Sequence, residues 1–208
     1  MVKQFSPIKT KSNSAIKAIL TLYGNANSGK TATLRYLFYL LFGKNISQFR
    51  ILVKPSIKDF RAKVNYRGKY VLLSTVGDSE KDVDRNWLLF CDQDQFERSQ
   101  TAIGRPFFDI SQKDGSKEEI VIGATRINDA SARNNDAYIS KHKKTVSHIH
   151  YFQKPCSENT TAPVTDDDIY VLTGKKVLGP KMTIGMAAAD IDMANRILEQ
   201  LDLTIKQL

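Results

Sequence analysis

The segment with the clearest chemical meaning is residues 24–31. It reads G-N-A-N-S-G-K-T and matches G-x-x-x-x-G-K-[ST] at every fixed position. Glycine at positions 24 and 29 lets the backbone adopt positive φ and approach a ligand closely, so successive N–H groups can point at oxyanions. The ammonium of Lys30 attracts the same oxyanions, and the hydroxyl of Thr31 is a suitable Mg²⁺ ligand. The pattern therefore predicts a loop that binds a polyphosphate.

The residues on either side of this loop have the periodicities of a strand and a helix. Residues 15–23, AIKAILTLY, form a short, mostly apolar run that is typical of a buried strand. Residues 30–42 carry Leu34, Leu37, Phe38 and Leu41 at the spacing of one helix face. A helix that begins at the loop adds the positive end of its dipole to the phosphate site.

With this order of strand, glycine loop and helix, residues 15–42 resemble the P-loop NTPase superfamily. The resemblance implies that Lys30 contacts the β- and γ-phosphates as a catalytic residue and that Thr31 binds Mg²⁺. The chain has no N-K-x-D motif for reading guanine, so we expect ATP as the nucleotide. The nucleotide-contacting residues implied are those of the loop and the first helical turn: Gly24, Asn25, Ala26, Asn27, Ser28, Gly29, Lys30, Thr31 and Ala32.

A P-loop also requires an acidic residue at the end of a neighbouring strand to hold Mg²⁺, and two candidates fit. Asp78 follows YVLLSTVG, which has the pattern of a central strand, and Asp92 follows the apolar run WLLFC. We favour Asp78, with a catalytic and metal-binding role, because Trp87 and Leu88 fit the apolar face of a helix that begins near Ser79. This assignment expects the strand of residues 70–76 to pair in parallel with that of residues 15–23.

Two further sets of side chains have weaker functional signals. Arg126 follows the apolar run IVIGAT and would reach a γ-phosphate from the carboxyl edge of the sheet, as a third catalytic residue; the alternative is a surface arginine at a strand end. His148 and His150 are two residues apart on a predicted strand and share a face, but no third metal ligand can be named.

The remaining patterns indicate an α/β fold of the P-loop NTPase type, with a mostly parallel sheet and helices on both faces. Residues 59–76 read as one antiparallel hairpin turning at Arg67-Gly68. Further elements are expected from periodicity: strands at 119–124 and 145–153, and helices from Ser79, at 128–144 and at 187–203. We expect one domain over residues 1–208, with a lid or insertion at 98–117 and an irregular segment at 154–185.

Composition limits the class of protein and its surroundings. Two cysteines are too few for a disulfide framework, and no apolar run approaches the roughly 20 residues of a membrane span, so we expect a cytoplasmic protein without membrane contact. The net charge is +9, and residues 1–70 hold 14 Lys and Arg against one acid, Asp59. This basic third would attract nucleic acid or another polyanion, or would act only as a solvated surface. The sequence does not indicate the oligomeric state.

Three functional hypotheses follow. The leading one is Mg²⁺-dependent binding and hydrolysis of a nucleoside triphosphate, with ATP expected. The second is a small phosphotransferase that acts on a nucleotide or polynucleotide, with residues 98–117 as its lid. The third is a nucleotide-regulated module that binds nucleic acid or protein with negligible turnover.

Overall fold

The computed structural model describes residues 16–25, 28–42, 61–75, 107–109, 119–126, 146–155 and 183–208. Within them the chain forms six strands and two helices. Their bounds, in chain order, are β1 Ala18–Gly24, α1 Lys30–Leu41, β2 Arg61–Tyr66, β3 Lys69–Ser74, β4 Phe107–Asp109, β5 Ile120–Arg126, β6 His148–Lys154 and α2 Thr183–Gln207.

The six strands form one mixed sheet in the order β4-β2-β3-β5-β1-β6. Strands β3, β5, β1 and β6 run parallel to one another, whereas β2 is antiparallel to β3 and β4 is parallel to β2. The prediction of a mostly parallel α/β sheet is confirmed. The carboxyl ends of the four parallel strands therefore lie along the same edge, the one that carries the 24–31 loop.

The hairpin predicted at residues 59–76 is confirmed as β2 and β3. Its turn is made by Arg67, with φ 49°, and Gly68, with φ 78°. Two successive positive φ values give the turn a twist that matches the right-handed twist of the two strands. The register that results pairs Tyr66 with Lys69 and Arg61 with Ser74.

Both helices pack on one face of the sheet and against each other. Alternate residues of β1 and β5 point into this layer, as the two-residue period of a strand requires. The core they form with α1 and α2 includes Leu20, Leu22, Ile122, Leu34, Leu37, Phe38, Ala194, Ile197 and Leu201. The opposite face is also apolar at Ile19, Leu72 and Val121, which are all buried. The helices predicted from Ser79 and at 128–144 lie outside the described residues.

The order of the strands corrects one expectation. Strand β3 is parallel to β1 but does not pair with it, because β5 lies between them and pairs with both. Strand β5 is buried at Ile120, Val121 and Ile122, so it is apolar on both faces and suits the interior of the sheet. At about 4.8 Å per strand, β3 is therefore about 10 Å from β1.

Two smaller boundaries also differ from the sequence-based expectation. Part of the segment predicted as a lid or insertion at 98–117 is β4, which pairs with β2 at the border of the described sheet. The stretch predicted as irregular at 154–185 begins with the last residue of β6 and ends with the first residues of α2. Within the described residues, no helix is both long enough and apolar enough to cross a membrane.

Candidate functional site

The 24–31 loop connects the end of a buried parallel strand to the start of a helix, as predicted. Strand β1 ends at Gly24, and α1 begins at Lys30 after Gly29, which adopts the left-handed conformation with φ 85°. The backbone N–H of Ser28 donates to Asn25 O at 3.3 Å and so turns the loop back toward the strand. Ala26 and Asn27 lie outside the described residues.

Both glycines of the loop are required by their surroundings, and Gly29 is required by its backbone angle as well. Gly24 does not adopt the positive φ expected from the sequence, so its requirement is one of space alone. A Cβ at position 24 would lie against Ser28 Oγ and at 3.2 Å from the backbone oxygen of Lys154. A Cβ at position 29 would lie against the carboxylate of Asp190, and the positive φ there would add strain. The loop is thus pressed closely against β6 at one end and against α2 at the other.

Lys30 places its ammonium against the backbone of the loop. Its side chain is buried, and Nζ donates to Gly24 O at 3.0 Å and to Asn25 O at 2.7 Å. The lysine therefore spans from the first turn of α1 to the end of β1. Thr31 and Ala32, the next two residues of the helix, are half-buried.

The amino end of α1 has the features of an anion site. No side chain caps it through a hydrogen bond, and its first turn contains no acidic residue, so its partial positive charge is not offset from within the helix. Ser28 Oγ is buried, and in the part of the chain that the structure describes it has no hydrogen-bond partner. A buried hydroxyl without a partner is costly, which favours a ligand that supplies an acceptor or donor there.

Behind the loop lies a buried ion pair that the sequence patterns did not reveal. Lys154 Nζ lies 2.7 Å from Asp190 Oδ1, and the side chains of both residues are 1% exposed. Thr33, in the first turns of α1, donates its hydroxyl to the same oxygen at 3.3 Å. Burial raises the pKa of the Asp190 carboxyl to about 6, against the opposing effects of Lys154 and of the Thr33 hydrogen bond.

Arg126 stands beside the loop, at the sheet edge where the sequence predicted it. It is the last residue of β5 and is paired in register with Gly24. It follows Ile122 and Ala124 in the strand alternation, so it belongs to the sheet face that carries α1 and α2. Contact between Arg126 and a phosphate stays a prediction.

The metal-binding carboxylates proposed from sequence, Asp78 and Asp92, lie outside the described residues. Strand β3 ends at Ser74, and the buried Thr75 follows it at the same sheet edge as the loop. Thr31 is therefore the predicted magnesium ligand that the structure describes. Within the described residues, no group of three or more His, Cys, Asp or Glu side chains is arranged to hold a metal ion.

His148 and His150 share one face of β6, as the sequence indicated. Their rings are stacked with centroids 6.3 Å apart, and His150 Nε2 lies 3.3 Å from Thr204 Oγ1 and 3.4 Å from Gln200 Nε2 of α2. Burial, together with the charge of His148, lowers the pKa of His150. A neutral His150 fits a packing role between β6 and α2.

One signal in the sequence would have pointed to Asp190. It falls at positions i−4, i−7 and i−11 relative to Ala194, Ile197 and Leu201, and so lies in the apolar stripe of α2. A carboxylate in such a stripe must have a buried partner.

Comparison with known proteins gives no relative: no protein-family model, no curated protein and no solved structure matches this chain.

Proposed function

We propose that the chain binds a nucleoside triphosphate, with ATP expected, together with Mg²⁺ and hydrolyses it as a P-loop NTPase. The observation that carries the proposal is the complete G-x-x-x-x-G-K-[ST] motif at the junction of β1 and α1, with Lys30 Nζ against the loop backbone. Such a motif needs a particular structural context to form a phosphate site. Its position between a buried parallel strand and a helix amino end is the context that the chemistry requires.

In this proposal the loop amides and Lys30 hold the phosphates. The ammonium exchanges its bonds to Gly24 O and Asn25 O for oxygens of the β- and γ-phosphates, which are stronger acceptors because they are charged. Ser28 Oγ gains the hydrogen-bond partner that it lacks among the described residues. Arg126 extends from the end of β5 and stabilises the charge that develops on the γ-phosphate.

Thr31 is the residue that would hold Mg²⁺ from the helix side, and Asp78 would hold it from beyond the end of β3. A hydroxyl and a carboxylate are hard oxygen ligands of the kind Mg²⁺ prefers, and the partial exposure of Thr31 fits a site that also retains water. When bound, the ion supplies charge neutralisation at the β- and γ-phosphates.

The test is nucleotide binding by calorimetry with Lys30→Ala, and Lys206→Ala as the matched control. Both substitutions remove one lysine charge, but Lys206 is exposed at the far end of α2. We expect Lys30→Ala to weaken ATP binding at least about tenfold, since a charge-assisted contact contributes roughly 1.5–3 kcal/mol. Lys206→Ala should bind as the wild type does.

The products of the reaction then separate the three functional classes. Release of inorganic phosphate without an acceptor supports hydrolysis, and transfer of label to an added nucleotide or polynucleotide supports the phosphotransferase. Tight binding with no turnover supports the regulated module. ATP binding that Lys30→Ala leaves unchanged would refute the P-loop proposal.

A further inference from the structure

The two glycines of the 24–31 loop pack against the two residues of one buried ion pair. Gly24 faces Lys154, whose backbone oxygen and Cβ lie 3.2 and 3.3 Å from the site of a Cβ at position 24. Gly29 faces the Asp190 carboxylate in the same way. Lys154 therefore contacts the loop at the end of β1 through its backbone and Cβ, and the Asp190 carboxylate contacts the loop at the start of α1.

The ion pair also connects elements that are distant in sequence. Lys154 is the last residue of β6, and Asp190 lies in α2. The Asp190 carboxylate also accepts a hydrogen bond from the hydroxyl of Thr33 in α1. An ion pair with both members 1% exposed is costly to desolvate, so it contributes little net stability compared with an apolar contact of the same size. Because the pair links β6, α2 and α1 beside the loop, its main contribution is to fix the relative positions of these three elements.

We propose that Lys154 and Asp190 are positioning residues for triphosphate binding. Their ion pair supports the 24–31 loop in the conformation that binds phosphate, and it links α2 and β6 to the site. This inference rests on the proposed function of the loop. Fixed donors bind phosphate better than mobile ones because the ordering cost is met during folding. Neither residue contacts the phosphates in this proposal.

The experiment removes both charges at once, with the double variant Lys154→Met/Asp190→Asn. Loss of one partner would leave the other charge buried and alone, whereas loss of both with side chains of similar shape avoids this penalty. The matched control is Asp202→Asn, which makes the same change in the same helix and breaks the partly exposed pair with Arg67. Three quantities are measured: the urea midpoint, the ATP dissociation constant, and amide hydrogen exchange at residues 28–33 and in β5.

We expect the double variant to keep a urea midpoint close to that of the wild type. Its ATP affinity should fall at least about tenfold, because small displacements of positioned groups are costly. Exchange at residues 28–33 should accelerate at least about tenfold, with exchange in β5 unchanged, as local opening of the loop would produce. Asp202→Asn should change neither binding nor loop exchange.

The outcomes distinguish this inference from the proposed function. A double variant with wild-type ATP affinity and loop exchange overturns the positioning role and leaves the function standing. If the wild type binds no ATP, the function fails, and the exchange at residues 28–33 alone decides whether the pair holds the loop. If the double variant does not fold, Lys154→Met, which leaves a carboxyl group that can become neutral by protonation, is compared with Asp202→Asn by the same measurements.

Discussion

At the residue scale, Asp190 shows how burial and pairing compete at a single carboxyl group. Burial is the largest influence and favours the neutral acid, whereas Lys154 and the Thr33 hydroxyl favour the carboxylate. The net result is a pKa of about 6, above the value of 3.8 for an unperturbed aspartate. An acid whose pKa rises on folding stabilises the fold at low pH, because the folded state then binds the proton more tightly than the unfolded state.

This sign leads to a prediction for Asp190→Asn, which cannot ionise. The stability of the wild type relative to the variant should be greatest below about pH 4 and should fall as pH rises toward about 6, then level off. The fall should be on the order of 1–3 kcal/mol, since one pKa unit corresponds to about 1.4 kcal/mol. Urea unfolding of both proteins at a series of pH values measures the difference. A rise over the same interval would mean that Lys154 outweighs burial.

At the element scale, the position of β5 between β1 and β3 affects the assignment of the acidic metal ligand. Strand β3 is still parallel to β1, so its carboxyl end lies at the edge that carries the 24–31 loop, one strand further away than direct pairing of β3 with β1 would place it. Thr75, the last described residue after β3, therefore lies at the same edge as the loop. Asp78 is three positions beyond Thr75, and three residues span at most about 10 Å, which matches the two strand spacings between β3 and β1.

We therefore keep the prediction that Asp78, and not Asp92, is the magnesium ligand. Asp78→Asn should abolish the Mg²⁺ dependence of nucleotide binding or turnover, while binding without metal stays nearly intact, because the substitution removes only the carboxylate charge. Asp92→Asn serves as the matched control and should behave like the wild type. Calorimetric titration of ATP with and without Mg²⁺ measures both. If Asp92→Asn is the inactive variant, the WLLF run is the strand that supplies the metal ligand.

The turn between β2 and β3 allows the backbone contribution of one residue to be isolated. Gly68 has φ 78°, and an added Cβ would meet no atom within 4 Å. An added Cβ at Gly123 in β5 would also meet no atom within 4 Å, but no positive φ occurs there. Gly68→Ala should lower the free energy of unfolding by about 1 kcal/mol through left-handed strain, and Gly123→Ala should be neutral or slightly stabilising. Equal effects in urea unfolding would show that the turn relaxes.

The elements that periodicity predicted well are those whose pattern is local. Strand β1, the β2–β3 hairpin, β5 and the two described helices each carry their own apolar spacing and turn residues, so the sequence alone located them. The glycine-lysine loop was located for the same reason. Strand order depends instead on which faces bury each other across the whole chain, and nothing near β3 indicates that β5 separates it from β1. The Lys154–Asp190 pair was missed because its partners are 36 residues apart in the sequence.

At the scale of the whole molecule, the uneven charge of the sequence is partly compensated by folding. Lys17 and Lys69, from the basic first third, both pair with Glu119 at 3.1 and 3.3 Å, and Arg67 pairs with Asp202 at 3.1 Å. Burial raises the pKa of Glu119, but the hydrogen bonds and charges of Lys17 and Lys69 outweigh it, so the pKa is lowered overall. Acids from the later part of the chain thus neutralise several described cations of the first third.

The cations of residues 1–15 and 43–60 are seven of the fourteen in the basic first third, and they define the last prediction. If they form a working surface, the protein should bind single-stranded nucleic acid weakly and without sequence preference, and the affinity should fall steeply with salt because bound counterions are released. Fluorescence anisotropy at about 50 mM salt is the measurement, since binding of this kind is strongest at low salt. Replacing Lys3, Lys9 and Lys11 by Gln should reduce the slope of log affinity against log salt by about 0.7 for each phosphate that the protein no longer neutralises. Lys206→Gln, which removes an exposed charge from the end of α2, should leave the slope unchanged. If the wild type shows no binding at this salt concentration, the basic third has no polyanion partner, and its charge contributes to solubility alone.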